Sequence, residues 1–160
     1  MEKKDFNVEK AYNELKIKYS NLPSFETINS EFELSNIDEE DFLVRKIRRR
    51  MSERIIFYCK LIENIIFPNL QNPLSAYEAG FIEETQREKL TKMHKELMVL
   101  ERESLLLDVD LTLDENKDLE FILNLLNNWS NFKKEIVELV FTMKESWKKE
   151  VKEENHGFFG

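Results

Sequence analysis

The sequence predicts an all-α fold, an antiparallel helical bundle of about five helices organised around one long central helix over about residues 38–67. Three observations predict it. Leu43, Val44, Ile47, Met51, Ile55, Tyr58, Leu61, Ile62 and Ile65 fall on one arc when the chain turns about 100° per residue. Gln86, Leu90, Met93, Leu97, Leu100, Ser104 and Leu107 recur in alternating steps of four and three, the seam of a helix packed along another at a shallow angle. The 160 residues include three glycines, two of them in the last four positions, too few for the turns of a hairpin-rich β fold.

Taken in order, Val8, Ala11, Tyr12, Leu15 and Tyr19 mark a first amphipathic helix over about 7–19, stopped by Leu22-Pro23-Ser24. Residues 24–37 have no clean period and are expected to form a connector pinned by Phe25, Ile28, Phe32 and Leu34. Asp38 then has the chemistry of an N-cap, with Ile37 placed to close over Phe42 and acids in the first turn of the long helix. Pro68 ends that helix. Ser75 and Glu78 form a capping-box pattern for a short helix ending near Gly80. The seam helix follows over about 82–107. Residues 108–114 read as an acidic extended connector, and Thr112 with Glu115 as the cap of a fourth helix carrying Leu119, Ile122, Leu123 and Leu126. Asn127 to Asn131 is expected to interrupt or bend the chain. A last helix over about 132–152 turns Ile136, Leu139, Val140, Met143, Trp147 and Val151 inward. The expected organisation is one bundle domain over 1–154 and a loose tail over 155–160 that contains Phe158 and Phe159.

Composition bounds what such a bundle can be. A chain this long can bury a sizeable core without staples. Its single cysteine, Cys59, excludes an internal disulfide framework and a multi-cysteine zinc site, and its apolar neighbours predict a buried thiol. The first residues are charged where a secretion signal needs an apolar run. The longest uncharged run, Asn64 to Tyr77, has 14 residues and two prolines, too short and broken to span a bilayer. A reduced cytoplasmic setting and no membrane association are the expectations. The net charge of -8 opposes long-range attraction to nucleic acid.

Catalytic and metal chemistry find no foothold. A bundle di-metal site needs E-x-x-H pairs, and His94 is preceded by Thr91 while His156 has no second copy of its motif. His94 is expected at the edge of the seam. Asp108, Asp110, Asp114 and Asp118 depart from the twelve-residue calcium loop and lack its central glycine. No glycine loop or nucleophile elbow is present, and no Ser, His and Asp share a defensible local spacing. No catalytic residue, cofactor or metal is therefore assigned.

The basic part of the long helix is the candidate site. Residues 42–60 hold seven bases against Glu53, and residues 31–41 hold six acids and no base. Arg45, Lys46, Arg49, Arg50 and Arg54 are the candidate contacts to phosphate or to an acidic partner, as in nucleic-acid and headgroup binders. The competing structural reading has the 31–41 acids and neighbouring helices neutralise them within the molecule. No aromatic is interleaved on the basic face to stack bases, since Phe42 and Phe57 are core candidates. Phe42-Leu43-Val44-Arg45, then Arg48 to Arg50 and Arg54-Ile55-Ile56, followed by an acid-rich leucine helix with Arg102, resembles the helical domain of the GINS replication complex subunits. The resemblance covers fewer than half of the residues, and that family's β-rich domain has no counterpart here. It implies assembly into a multi-subunit scaffold rather than catalysis, and the readings above do not rest on it. The expected role is a non-enzymatic helical protein-interaction or scaffold module, with a protein partner or a homodimer formed through the seam. The alternative is a nucleic-acid-binding module using the basic face of 42–60.

Overall fold

Asn7 begins the first helix by accepting a hydrogen bond from the Lys10 amide at 2.9 Å, which satisfies one of the free donors of the first turn. The computed structural model describes residues 6–69, 71–110, 112 and 114–157, with side chains described as far as 152. Among them are six α-helices and one 3₁₀ turn, and no strand. The helices are α1 (Val8–Lys18), α2 (Phe25–Phe32), α3 (Leu43–Ile66), α4 (Pro73–Ala79), α5 (Glu84–Val109) and α6 (Glu115–Gly157), with the 3₁₀ turn at Leu34–Asn36. The fold is the expected helical bundle, with α3 as the long central helix packed against α5 and α6.

Several boundaries differ from the sequence reading. The connector over 24–37 contains α2, capped by Ser24, with Ile28, Phe32 and Leu34 buried. The long helix starts at Leu43 rather than Asp38, because Phe42 takes a left-handed backbone (φ 57°) that no continuous α-helix can include. The staple therefore does not form: Ile37 is buried while Phe42 is 63% exposed. Asn72, not Ser75, caps α4, with Pro73 in its first turn, where the missing N–H costs nothing. Ser75 instead donates to the Asn64 carbonyl at 2.7 Å. At the start of α6 the cap is Asp114, whose carboxylate accepts from the Asn116 amide, and Thr112 lies in a turn. The asparagine-rich stretch 127–131 is helical without a break, because burial of Leu125, Trp129 and Phe132 outweighs a local preference for turns. α6 reaches Gly157, and Phe158 and Phe159 lie outside the described residues.

The chain divides into two compact units, one of Met1–Ile56 with Val99–Asn127, the other of Phe57–Met98 with Asn128–Gly160. The first unit buries Tyr12, Ile28, Phe32, Leu34, Val44, Ile47, Met51 and Ile55 with Leu100, Phe121, Ile122 and Leu125. Tyr12 donates its hydroxyl to the Pro23 carbonyl at 3.0 Å, and burial pushes that phenol up to about 12. The second unit buries Ile62, Ile65, Leu90, Met93, Leu97, Trp129, Ile136 and Leu139. Arg87 donates to the Ile65 carbonyl at 2.8 Å and the Ala79 carbonyl at 2.7 Å, so one guanidinium caps the C-terminal ends of α3 and α4 together. Trp147 lies edge-on to Phe81 and donates its indole N–H to Glu78 at 2.9 Å. Val140 and Val151, expected inward, are 47% and 58% exposed. Phe57, expected in the core, is 60% exposed. Cys59 is buried as expected.

Candidate functional site

In the first unit the basic half of α3 meets the end of α5 and the start of α6. Arg48 sits at the centre of this meeting and is fully buried. Its Nε donates to Asp118 at 2.5 Å, its Nη2 to Asp108 at 2.5 Å, and its Nη1 to the Ser104 hydroxyl at 2.6 Å and carbonyl at 3.1 Å. Every edge of the guanidinium fork is thus occupied, as a buried charge requires. Asp118 also accepts from Arg45 Nε at 3.3 Å, while Arg45 Nη2 reaches the Leu107 carbonyl at 3.1 Å. Asp108 also accepts from Arg49 Nε at 2.9 Å. Ser52 and Ser104, both buried, share a hydroxyl hydrogen bond of 2.6 Å, and Ser52 donates to the Arg48 carbonyl.

Two directions follow from these partners. The first turn of α3 meets the last turn of α5, through Arg45 and Leu107, so the two helices are antiparallel. It also meets the first turn of α6, through Arg45 and Asp118, and Tyr58 further along α3 lies against Trp129 further along α6, so those two run parallel. The seam residues of α5 that suggested a coiled partner are consumed in the chain's own packing: Leu90, Met93, Leu97, Leu100 and Ser104 are all buried.

Each of the five residues singled out from the sequence has a carboxylate of its own chain within reach. Arg45 pairs with Asp118, Lys46 with Glu39 at 2.8 Å, Arg49 with Asp108, Arg50 with Glu53 at 2.8 Å and Arg54 with Glu33 at 2.6 Å. Two of those acids, Glu33 and Glu39, belong to the 31–41 acidic run, and the aspartates come from α5 and α6. Arg49 is the most open of the five, its side chain 54% exposed, against 12% for Arg45.

Arg48, Asp108, Asp118, Ser52 and Ser104 were not assigned to a site from the sequence. Periodicity puts Arg48 beside the apolar arc, and the aspartates entered only as a failed calcium pattern. The available signal was Ser104, a polar residue at a seam position otherwise occupied by leucine and methionine.

The electrostatics of the cluster favour a fixed, ionised arrangement. Burial raises the Asp108 carboxyl, but hydrogen bonds from Arg48 and Arg49 outweigh it and hold the group below the usual carboxylate range. It stays charged at neutral pH. The two serine hydroxyls face each other and Arg48. Among the described residues no group of three or more His, Cys, Asp or Glu side chains is placed to hold a metal ion. No helix among them is long and apolar enough to cross a membrane.

Beside the cluster, between α3 and α5, lies a groove of about 290 Å³. Ser52 and Ser104 line it, with Ile56 and Leu105 as apolar walls and Arg49, Glu53, Glu101 and Asp108 as its charged groups. Along α5, Val99, Leu105, Leu106 and Val109 are 58%, 52%, 69% and 70% exposed. No family model matches this chain, and neither a curated protein nor a solved structure matches it.

Proposed function

We propose that this chain is a non-enzymatic helical module that works by holding a protein partner, in the cytoplasm. The observation that carries the reading is the group of Val99, Leu105, Leu106 and Val109, four large apolar side chains left more than half exposed within three turns of one helix. Scattered exposed apolar groups are ordinary, whereas several gathered within a few turns of one helix are a usual mark of a binding surface. Arg45, the least exposed of the five, is held by Asp118 and the Leu107 carbonyl, which makes it a poor candidate for phosphate and supports the same reading. Self-association, if this module uses it, runs through such an exposed face and not through the buried seam of α5.

Two measurements test the proposal. Size-exclusion chromatography with light scattering reports self-association, and an affinity pull-down with the wild-type chain and a Leu106→Asp/Val109→Asp variant reports a partner. The expected result is a complex that the double variant loses. A strict monomer that retains no protein at micromolar concentration overturns the reading.

A further inference from the structure

We infer that the groove between α3 and α5 in the first unit receives a basic side chain, an arginine or lysine projected from an amphipathic helix of a protein partner. The inference rests on the interaction reading above and names the partner's chemistry. It also reverses the sign expected from the sequence, where the exposed arginines pointed to an acidic partner.

The shape and lining of the groove argue for a long side chain with an apolar stem and a cationic head. A volume of about 290 Å³ suits one such group. Ile56 and Leu105 offer the walls on which a methylene stem lies, as lysine and arginine stems do at interfaces. The hydroxyl protons of Ser52 and Ser104 are committed, to the Arg48 carbonyl and to Ser52, so neither needs an acceptor from the occupant. The charged groups number three carboxylates to one guanidinium, and Arg49 already answers Asp108. That leaves Glu53 and Glu101 to face the incoming head.

These two glutamates contact Arg50 and Arg102 at 2.8 and 3.3 Å. Each pair has a solvent-exposed member and is weak, so a partner's guanidinium exchanges with it at little loss. A bidentate arginine–carboxylate bond formed in a half-enclosed groove is stronger than either. Outside the groove, Leu106 and Val109 add exposed apolar surface next to Leu105. An amphipathic helix laid on that surface carries its flanking base over the groove mouth, the helix-in-groove mode of recognition.

The test uses fluorescence anisotropy with two labelled eighteen-residue amphipathic peptides that share a leucine face, one flanked by arginine and one by glutamate. With the full chain, the arginine peptide is expected to bind saturably and at least about tenfold more tightly than the glutamate peptide. Glu53→Gln/Glu101→Gln, and separately Leu105→Asp, should each weaken it about tenfold or more, as loss of an anchor contact does. Glu14→Gln/Glu40→Gln removes the same charge from another surface and should change affinity less than about twofold, the size of a long-range field effect. A far-UV circular dichroism melt of each variant confirms that it is folded. Equal binding of the two peptides, no saturable binding, or equal losses from the two glutamine pairs overturns the inference. The same variants enter the pull-down: a partner retained by Glu53→Gln/Glu101→Gln as well as by wild type removes the groove and leaves the interaction reading standing. Loss of all retention in the wild type itself removes both.

Discussion

Replacing Asp118 by asparagine should be among the most destabilising single-atom changes in this chain. Asp118 is 2% exposed and accepts from Arg48 and Arg45. Breaking a buried ion pair by neutralising one partner costs about 3–5 kcal/mol, because the remaining charge stays out of water without its counter-ion. Asp108 still holds Arg48 Nη2 at 2.5 Å in the variant, which places the expected loss near the lower end, about 3 kcal/mol. For a chain of this size each kcal/mol lowers Tm by about 2–4 °C, so a fall of roughly 6–12 °C is expected. Arg48→Met should cost a similar amount, because it leaves Asp118 with only the longer bond from Arg45.

The double variant Arg48→Met/Asp118→Leu separates coupling from packing. Apolar groups of similar volume often replace a buried pair at no net cost. Asp108 keeps Arg49, Ser52 keeps Ser104, and Arg45, which loses Asp118, keeps the Leu107 carbonyl. The double variant is therefore expected within about 2 kcal/mol of the wild type, and more stable than either single variant. Urea unfolding followed by far-UV circular dichroism supplies the three values. Single effects that add to within about 0.5 kcal/mol would refute the reasoning, since independent sites behave that way.

Three further outcomes are expected. Tyr12 should titrate near pH 12 in an absorbance titration at alkaline pH, compared with a Tyr12→Phe variant; its folded value lies above the unfolded one, so its stabilising contribution is complete below about pH 10 and is lost as pH rises towards 12. Asp108 and Glu115 have folded values below their unfolded ones, Asp108 through Arg48 and Arg49 against the effect of burial, and Glu115 through Lys18 and Tyr19. Their contribution is present above the unfolded carboxylate range and is lost as pH falls through and below it, so the urea midpoint should drop in acid and the drop should shrink in Asp108→Asn. His94 is 9% exposed and its Nε2 has no hydrogen-bond partner among the described residues, so His94→Leu should be neutral or stabilising by about 1 kcal/mol in urea unfolding; a clear loss would mean that the nitrogen is satisfied.

Where a property is local and periodic, the sequence shows it. The inward arc of α3 was readable because burial of Val44, Ile47, Met51, Ile55, Ile62 and Ile65 imposes its own spacing. The start of that helix was not, because an N-cap rule looks four residues ahead and the left-handed turn at Phe42 depends on what holds residues 37–41. Lys46 ties Glu39, and Arg54 ties Glu33, each across a gap that local rules do not see. α2 was hidden for another reason: eight residues are too few to establish a period. The expected break at Asn127 to Asn131 failed because turn preference amounts to tenths of a kcal/mol per residue, while burying Trp129 and Phe132 contributes more. The basic residues of the candidate site were visible, but their partners were not. Arg48 and Asp118 lie 70 residues apart, and no spacing rule joins them.

A buried arginine held by two aspartates need not make the chain more stable than leucine and methionine would. What it supplies is register. Arg48 reaches Ser104 and Asp108 on α5 and Asp118 on α6, so it measures the position of both helices against α3 at once. Sliding α5 by one turn, about 5.4 Å, would leave an apolar seam still apolar but would strand the guanidinium and two carboxylates. The penalty for the wrong register is therefore set by charge, while the gain for the right one comes from leucine and isoleucine. That register also builds the groove, because its Ser52–Ser104 floor and Arg49–Asp108 rim share residues with the cluster. An apolar double variant that keeps its stability but frees the register should thus bind the arginine-flanked peptide less tightly, although Arg48 and Asp118 are not among the residues that line the groove.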